Sequence, residues 1–204
     1  MNQHVLILSL SWLAYFLLHS LLASLWFKQV VNHYCPRCAA SYRLAYNILA
    51  TLLLLPLLLL MMQWQQAFLW SWKGGMLWFM NAMALLSILG FVVTLKYYDM
   101  AEFIGLRQLQ TATIEDQEQF SLSPLHHFVR HPWYFFGLVI LWTRSMDIMM
   151  LVSVMAMTLY FIIGSWLEER KLVHYHGDIY LRYQKRVPAL IPLPWRFLRS
   201  GEKL

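Results

Sequence analysis

The stretch His126-His127-Phe128-Val129-Arg130-His131-Pro132-Trp133-Tyr134-Phe135-Phe136-Gly137 sets a cationic, imidazole-rich turn against an apolar segment that continues through Leu138, Val139, Ile140, Leu141 and Trp142. Pro132 suits the first turn of a helix, where its missing N–H removes a donor that would have no partner anyway. A helix is therefore expected from Trp133 onward, with Arg130 and His131 at its mouth. Desolvating an arginine and three histidines beside an apolar helix is costly, so such groups bind something or line a wet cavity. The free N–H groups and positive dipole end at that mouth favour an anionic group such as a carboxylate.

Composition places this stretch in a membrane. The chain has 204 residues, 60% hydrophobic and only 13% charged, with a mean hydropathy of +0.50. These values lie outside the range of ordinary soluble domains and predict an all-α, polytopic membrane protein. With no Gly/Ser linker, low-complexity block or internal repeat, the chain reads as one domain over 1–204. Within it, about 1–98 supplies three N-terminal spans and 123–192 a helical hairpin and tail. The net charge of +6 does not indicate nucleic acid, because the basic residues flank apolar segments instead of interleaving with base-stacking aromatics. Anionic headgroups are the expected partner.

Five membrane segments are expected. The first runs from about Val5 to Phe27 and, lacking a basic leader region and a small-residue cleavage site, reads as a retained span. Its His19 is expected to turn into the bundle and hydrogen-bond a neighbour. The second covers about Leu44 to Trp64 with Pro56 in its middle, and the third about Met76 to Leu95. A polar stretch from Met100 to Pro124 follows; Ala101 to Leu106 suits a short interfacial helix and the remainder an exposed loop. Trp133 to Thr143 is too short to cross alone, and Ile148 to Leu167 is full length, so the pair predicts a hairpin with a short first arm. Fourteen of the sixteen Lys and Arg residues then share a side with the C-terminal tail, leaving Lys73 and Arg144 opposite. The positive-inside rule places the N-terminus outside and the tail in the cytoplasm, for a bacterial inner membrane. Cys35-Pro36-Arg37-Cys38 falls short of a four-ligand zinc site, and on the cytoplasmic side its thiols are expected to be reduced.

The tail opens with Glu168-Glu169 where the last span ends. Tyr180 and Tyr183 share a helical face, and Val187-Pro188 should end that helix. Glu168-Glu169 and Arg130-His131 stand at the two ends of the hairpin, so they are expected to be neighbours able to hold a zwitterion. His174-Tyr175-His176 points its histidines apart on a helix, and no metal site is expected.

The motif Arg130-His131-Pro132-x-Tyr134-x-x-Gly137, followed by Glu168-Glu169-x-x-Leu172 and Gly177-x-x-Tyr180-x-x-Tyr183-x-x-Arg186-Val187-Pro188-x-x-Ile191-Pro192, resembles the isoprenylcysteine carboxyl methyltransferase superfamily. That grouping of membrane methyltransferases includes phospholipid methyltransferases and NnrU-like proteins. His19-Ser20-Leu21-Leu22-Ala23-Ser24, Tyr42-Arg43-Leu44-x-Tyr46-Asn47 and Phe103-x-Gly105-Leu106-Arg107-Gln108 are similar to its NnrU-like and methanethiol S-methyltransferase branch. One departure stands out: the family's glycine before Arg-His-Pro is absent, and the chain has Pro124-Leu125-His126-His127.

The resemblance implies an S-adenosylmethionine-dependent methyltransferase acting on the thiol or carboxylate of a small or lipophilic acceptor that arrives from the bilayer. It implies a cofactor set of His127, Arg130, His131, Pro132, Tyr134, Gly137, Glu168, Glu169, Leu172, Tyr180 and Tyr183. In that set His131 with Arg130 takes the methionine carboxylate, Glu168 or Glu169 the ammonium, and the tyrosines with Trp133 face the sulfonium. Arg186 and Arg130 are the expected catalytic pair, with Arg186 orienting an anionic acceptor. Two alternatives follow from the same residues: a catalytically silent NnrU-like protein with an assembly role, and a heme- or metal-dependent redox protein drawing on the eight histidines.

Overall fold

The computed structural model describes residues 3–111 and 123–199. Among them every regular element is helical, apart from isolated bridges such as Trp70 with Met146. Four helices are long and apolar enough to cross a membrane: α1 (Gln3–Ala23), α4 (Tyr42–Gln63), α5 (Gly74–Leu95) and α9 (Ile148–His176). The fifth expected segment is α8 (Pro132–Trp142), whose 11 residues reach only about 16 Å, roughly half the hydrocarbon thickness. Of the five expected segments, four are helices of spanning length and the other is this short apolar helix. The exposed loop expected before Pro124 falls mainly on 112–122, outside the described residues.

The chain folds into two compact units, with α9 divided between them. The first comprises Met1–Trp70, Tyr98–Gln117 and Met146–Ala156. Its apolar segment 5–27 is broken, because Ser24 adopts an extended conformation and caps α2 (Leu25–Tyr34) by accepting the Phe27 N–H. A side-chain acceptor there replaces a missing backbone partner at a helix start. Trp12 is buried and its indole N–H donates to Ser153 Oγ at 2.9 Å. His19 meets the Tyr46 hydroxyl on α4 at 2.7 Å, the neighbour that an intramembrane histidine requires.

Cys35 and Cys38 form a disulfide, which corrects the expectation of reduced thiols. Pro36 opens the one-turn helix α3 (Pro36–Ala39), and that turn brings the two Cα atoms to 5.3 Å, within bridging range. The expectation rested on compartment alone and ignored this local geometry.

Two of the three N-terminal motifs, Tyr42–Asn47 and Phe103–Gln108, meet within this unit. Asp99 caps α6 (Met100–Ile104), and Gly105 ends it with φ +102 before α7 (Leu106–Thr111). The carbonyls left over at the end of α6 are taken by α4: Arg43 Nε donates to Phe103 O, and Asn47 Nδ2 donates to Phe103 O and Ile104 O. A Cβ at Gly105 would stand 2.6 Å from Leu44 N, so both the backbone angle and the close approach require glycine.

The second unit comprises Ser71–Tyr97, Glu118–Ser145 and Met157–Leu204. Here α5 and α8 pack closely because Gly90 leaves room for the Phe136 ring, and Trp133 Nε1 donates to the buried Thr94 hydroxyl at 2.7 Å. Gly137 faces Phe161 of α9. After Gly177, which has φ +54, the chain forms α10 (Asp178–Arg186). Val187 caps that helix, as the following proline requires. Tyr180, Tyr183, Val187 and Leu198 form a small core with Leu172 and Val173 against it.

Candidate functional site

The site is built in the second unit where the mouth of α8 meets the end of α9. Two backbone bonds strap the tail to that mouth: Arg130 N–H donates to Pro188 O at 2.9 Å and His131 N–H donates to Ala189 O at 3.0 Å. The guanidinium of Arg130 is then fully engaged. Its Nε and Nη2 donate to Glu169 Oε1 and Oε2 at 2.7 and 2.9 Å, a bidentate arrangement that fixes both planes. Its Nη1 donates to Gln184 O and Val187 O, the carbonyls left over at the end of α10. Glu169 also accepts from Gln184 Nε2 at 2.8 Å and meets His131 Nε2 at 3.0 Å. The Arg130 and Glu169 side chains are each 10% exposed.

His131 joins this pair to a second carboxylate. Its Nδ1 lies 3.4 Å from Glu168 Oε2, which also accepts the Tyr134 hydroxyl at 3.2 Å. The His131 and Tyr134 rings stack at 5.2 Å, and Tyr134 stacks on Phe161 at 4.9 Å. With His131 protonated, two cations and two carboxylates balance. Glu168 is the open member of the four, with 44% of its side chain exposed. Phe161, Gly164 and Glu168 follow one another at spacings of three and four, so they share a face of α9, and Gly164 keeps that face open beside the Tyr134 hydroxyl.

The expected site residues separate into two groups. Arg130, His131, Tyr134, Glu168 and Glu169 come together as described. Pro132 is the buried first residue of α8, Gly137 is a helix contact, and Leu172 and Tyr183 belong to the tail core; Tyr180 shares that core and also hydrogen-bonds the Arg130 side chain, beside Glu169. His127 contributes its carbonyl, which accepts the Leu198 N–H. Arg186 lines an exposed depression with Lys185, Trp195, Arg196, Phe197 and Arg199. Sequence reasoning missed Phe161, whose signal was its position seven residues before Glu168, and Gln184, which carried none. No cluster of metal-ligating side chains occurs among the described residues.

Tyr183 donates its hydroxyl to His126 O at 2.6 Å while almost wholly buried. Tyr183→Phe should destabilise the protein by about 1–2 kcal/mol, since it leaves a carbonyl without its partner. Thermal melting in detergent measures this, and an unchanged midpoint would show that the bond contributes nothing.

Two histidines give stability opposite dependences on pH. Burial by itself would lower the His131 pKa, but hydrogen bonds to Glu168 and Glu169 outweigh it and raise the value. Stabilisation from His131 is therefore complete below its unfolded pKa of about 6.5 and is lost as pH rises through the folded value. His126 is pushed down to about 4, chiefly by burial, in keeping with its Nδ1 accepting the Ser123 N–H. Its contribution is present above about pH 6.5 and is lost as pH falls toward 4. The melting temperature should peak near about pH 6.5, and a profile rising steadily across neutrality would contradict this pairing.

Comparison with known proteins agrees with the family resemblance of the sequence. The class is that of integral membrane methyltransferases: the chain belongs to the isoprenylcysteine carboxyl methyltransferase and NnrU-like family. Among its relatives, a methanethiol S-methyltransferase of Pseudomonas sp. is 30% identical over 181 residues, 85% of this chain and 68% of the relative. The methanethiol S-methyltransferase of Crocosphaera subtropica is 29% identical over 185 residues, 85% of this chain and 69% of the relative. Methanethiol S-methyltransferase 2 of Bradyrhizobium diazoefficiens is 29% identical over 191 residues, covering 91% and 72%. No family model and no solved structure matches the chain.

Proposed function

We propose that the protein is an S-adenosylmethionine-dependent methyltransferase acting on a small thiol, with the site facing the cytoplasm. The observation that carries this reading is the open carboxylate of Glu168, held by Tyr134 and His131 over a stack of aromatic rings. Those groups suit a cation. Glu168 would take the ammonium of the methyl donor, and the Tyr134 and Phe161 faces would lie toward its sulfonium. Once bound, the cofactor supplies an electrophilic methyl group for in-line displacement by a thiolate. Alignment within about 3–3.5 Å is most of what such a displacement needs from the protein.

The saturated fork of Arg130 changes the roles expected from sequence. Arg130, with Glu169 and His131, would act by positioning Glu168 and Tyr134, because the guanidinium is already committed to one carboxylate and two carbonyls. The thiol acceptor is favoured over a carboxylate by the names of the relatives. The cytoplasmic placement rests on the distribution of Lys and Arg.

Calorimetric titration of the purified protein in detergent with S-adenosylmethionine should give heat, and labelled cofactor should pass its methyl group to small thiols. A folded protein that gives neither heat nor transfer would favour the catalytically silent reading.

A further inference from the structure

A second charged surface lies in the tail. α9 has 29 residues, about 43 Å of helix against a hydrocarbon layer of about 30 Å. It begins at Asp147, which caps it through Met150 N, and meets no further charge until Glu168. Its last turns therefore project beyond the hydrocarbon layer on the side of Glu168.

Around an open depression of about 400 Å³ the tail gathers Lys185, Arg186, Arg196, Arg199, Trp195 and Phe197. Among the described residues its lining holds no carboxylate. Leu198 is buried in the tail core and its N–H donates to His127 O. Trp195 stands in the turn closed by Leu193 and Arg196, and Phe197 and Arg199, on either side of the buried Leu198, are exposed. Arg196 is held in place by donating Nη2 to Gln184 O and Lys185 O, both at 2.9 Å. Trp195 is 74% exposed, and Phe197 stacks on Phe128, also exposed. Exposed aromatics beside fixed cations at the end of a spanning helix match the chemistry of the bilayer interface.

We infer that this depression binds the phosphodiester of an anionic glycerophospholipid, seating the tail on the membrane surface. The four cations meet the phosphate, and Trp195 and Phe197 enter the headgroup layer beside it. Near an anionic leaflet each Lys or Arg contributes about fivefold to association, and salt weakens the effect.

The test uses the full chain in nanodiscs of phosphatidylcholine with and without phosphatidylglycerol. Hydrogen exchange at residues 193–199 should slow in the anionic discs, and native mass spectrometry should show retained phosphatidylglycerol. Lys185→Gln with Arg199→Gln should lower retention about 25-fold, while Lys185→Arg with Arg199→Lys should preserve it. Thermal melting establishes that each variant is folded, and Trp195→Ala, at a ring that is exposed, should lower retention as a second probe of the same surface. Equal exchange in neutral and anionic discs, or equal retention by the glutamine variant, would overturn the inference. So would displacement of the lipid by millimolar inorganic phosphate, which would assign the depression to a free anion.

Discussion

Glu169→Gln should lose about 3–5 kcal/mol of stability together with methyl transfer. The residue is the hub of the second unit: its two oxygens accept from Arg130 twice, from Gln184 once, and meet His131. A glutamine of the same shape keeps one acceptor oxygen but turns an N–H2 group toward Arg130, placing donor against donor. The guanidinium, with 10% of its side chain exposed, would then be a buried cation without its counter-ion, and that arrangement is what makes removing one partner so unfavourable. Thermal melting in detergent reads the effect. The cause can be separated from the loss itself by Arg130→Met combined with Glu169→Met, which removes both charges. Apolar replacement of a whole buried pair is often close to neutral, so the double variant should recover much of the stability while remaining inactive. A single variant that melts with the native protein would show that the network does not hold the tail to α8.

Glu168→Gln should behave in the opposite way. With 44% of the side chain exposed, its ion pair with His131 is screened by water, and the change in stability should stay within about 0.5 kcal/mol. A hydrogen bond to a charged group contributes about 1.5–3 kcal/mol, so affinity for S-adenosylmethionine should fall about 10- to 100-fold. Adjacent carboxylates would thus separate by experiment: one substitution unfolds the site, and the other empties it. Calorimetry decides, and an unchanged affinity in the folded Glu168 variant would remove that residue from the cofactor site.

The two glutamates also show how far sequence could reach. Both stand at the end of the last span, and either suits an ammonium by charge alone. Spacing along a helix places them about 100° apart, but it does not say which one faces Arg130. Local signals were read well where the physics is local. Pro132 opens α8, Val187 ends α10, and the starts and ends of α4 and α5 and the start of α9 follow the apolar runs, whereas α9 continues past Leu167 through Glu168-Glu169-Arg170-Lys171 to His176. They were read less well where a single side chain overrode the run, as Ser24 does by capping α2. Nothing in the spacing revealed that the Tyr42–Asn47 and Phe103–Gln108 motifs exist partly for each other, through Arg43 and Asn47 on the carbonyls of α6.

What the sequence determined by itself was the class of molecule and most of its helix boundaries. Hydropathy sums over a segment, and a helix needs only its own residues to satisfy its backbone, so apolar length and end signals can be read one stretch at a time. Tertiary structure decided which charges are consumed and which remain open. Arg130 is saturated by Glu169 and by carbonyls of a helix more than fifty residues away, while Glu168 keeps its exposure. That partition depends on burial and on donors brought from distant parts of the chain, and neither quantity exists until the helices have packed.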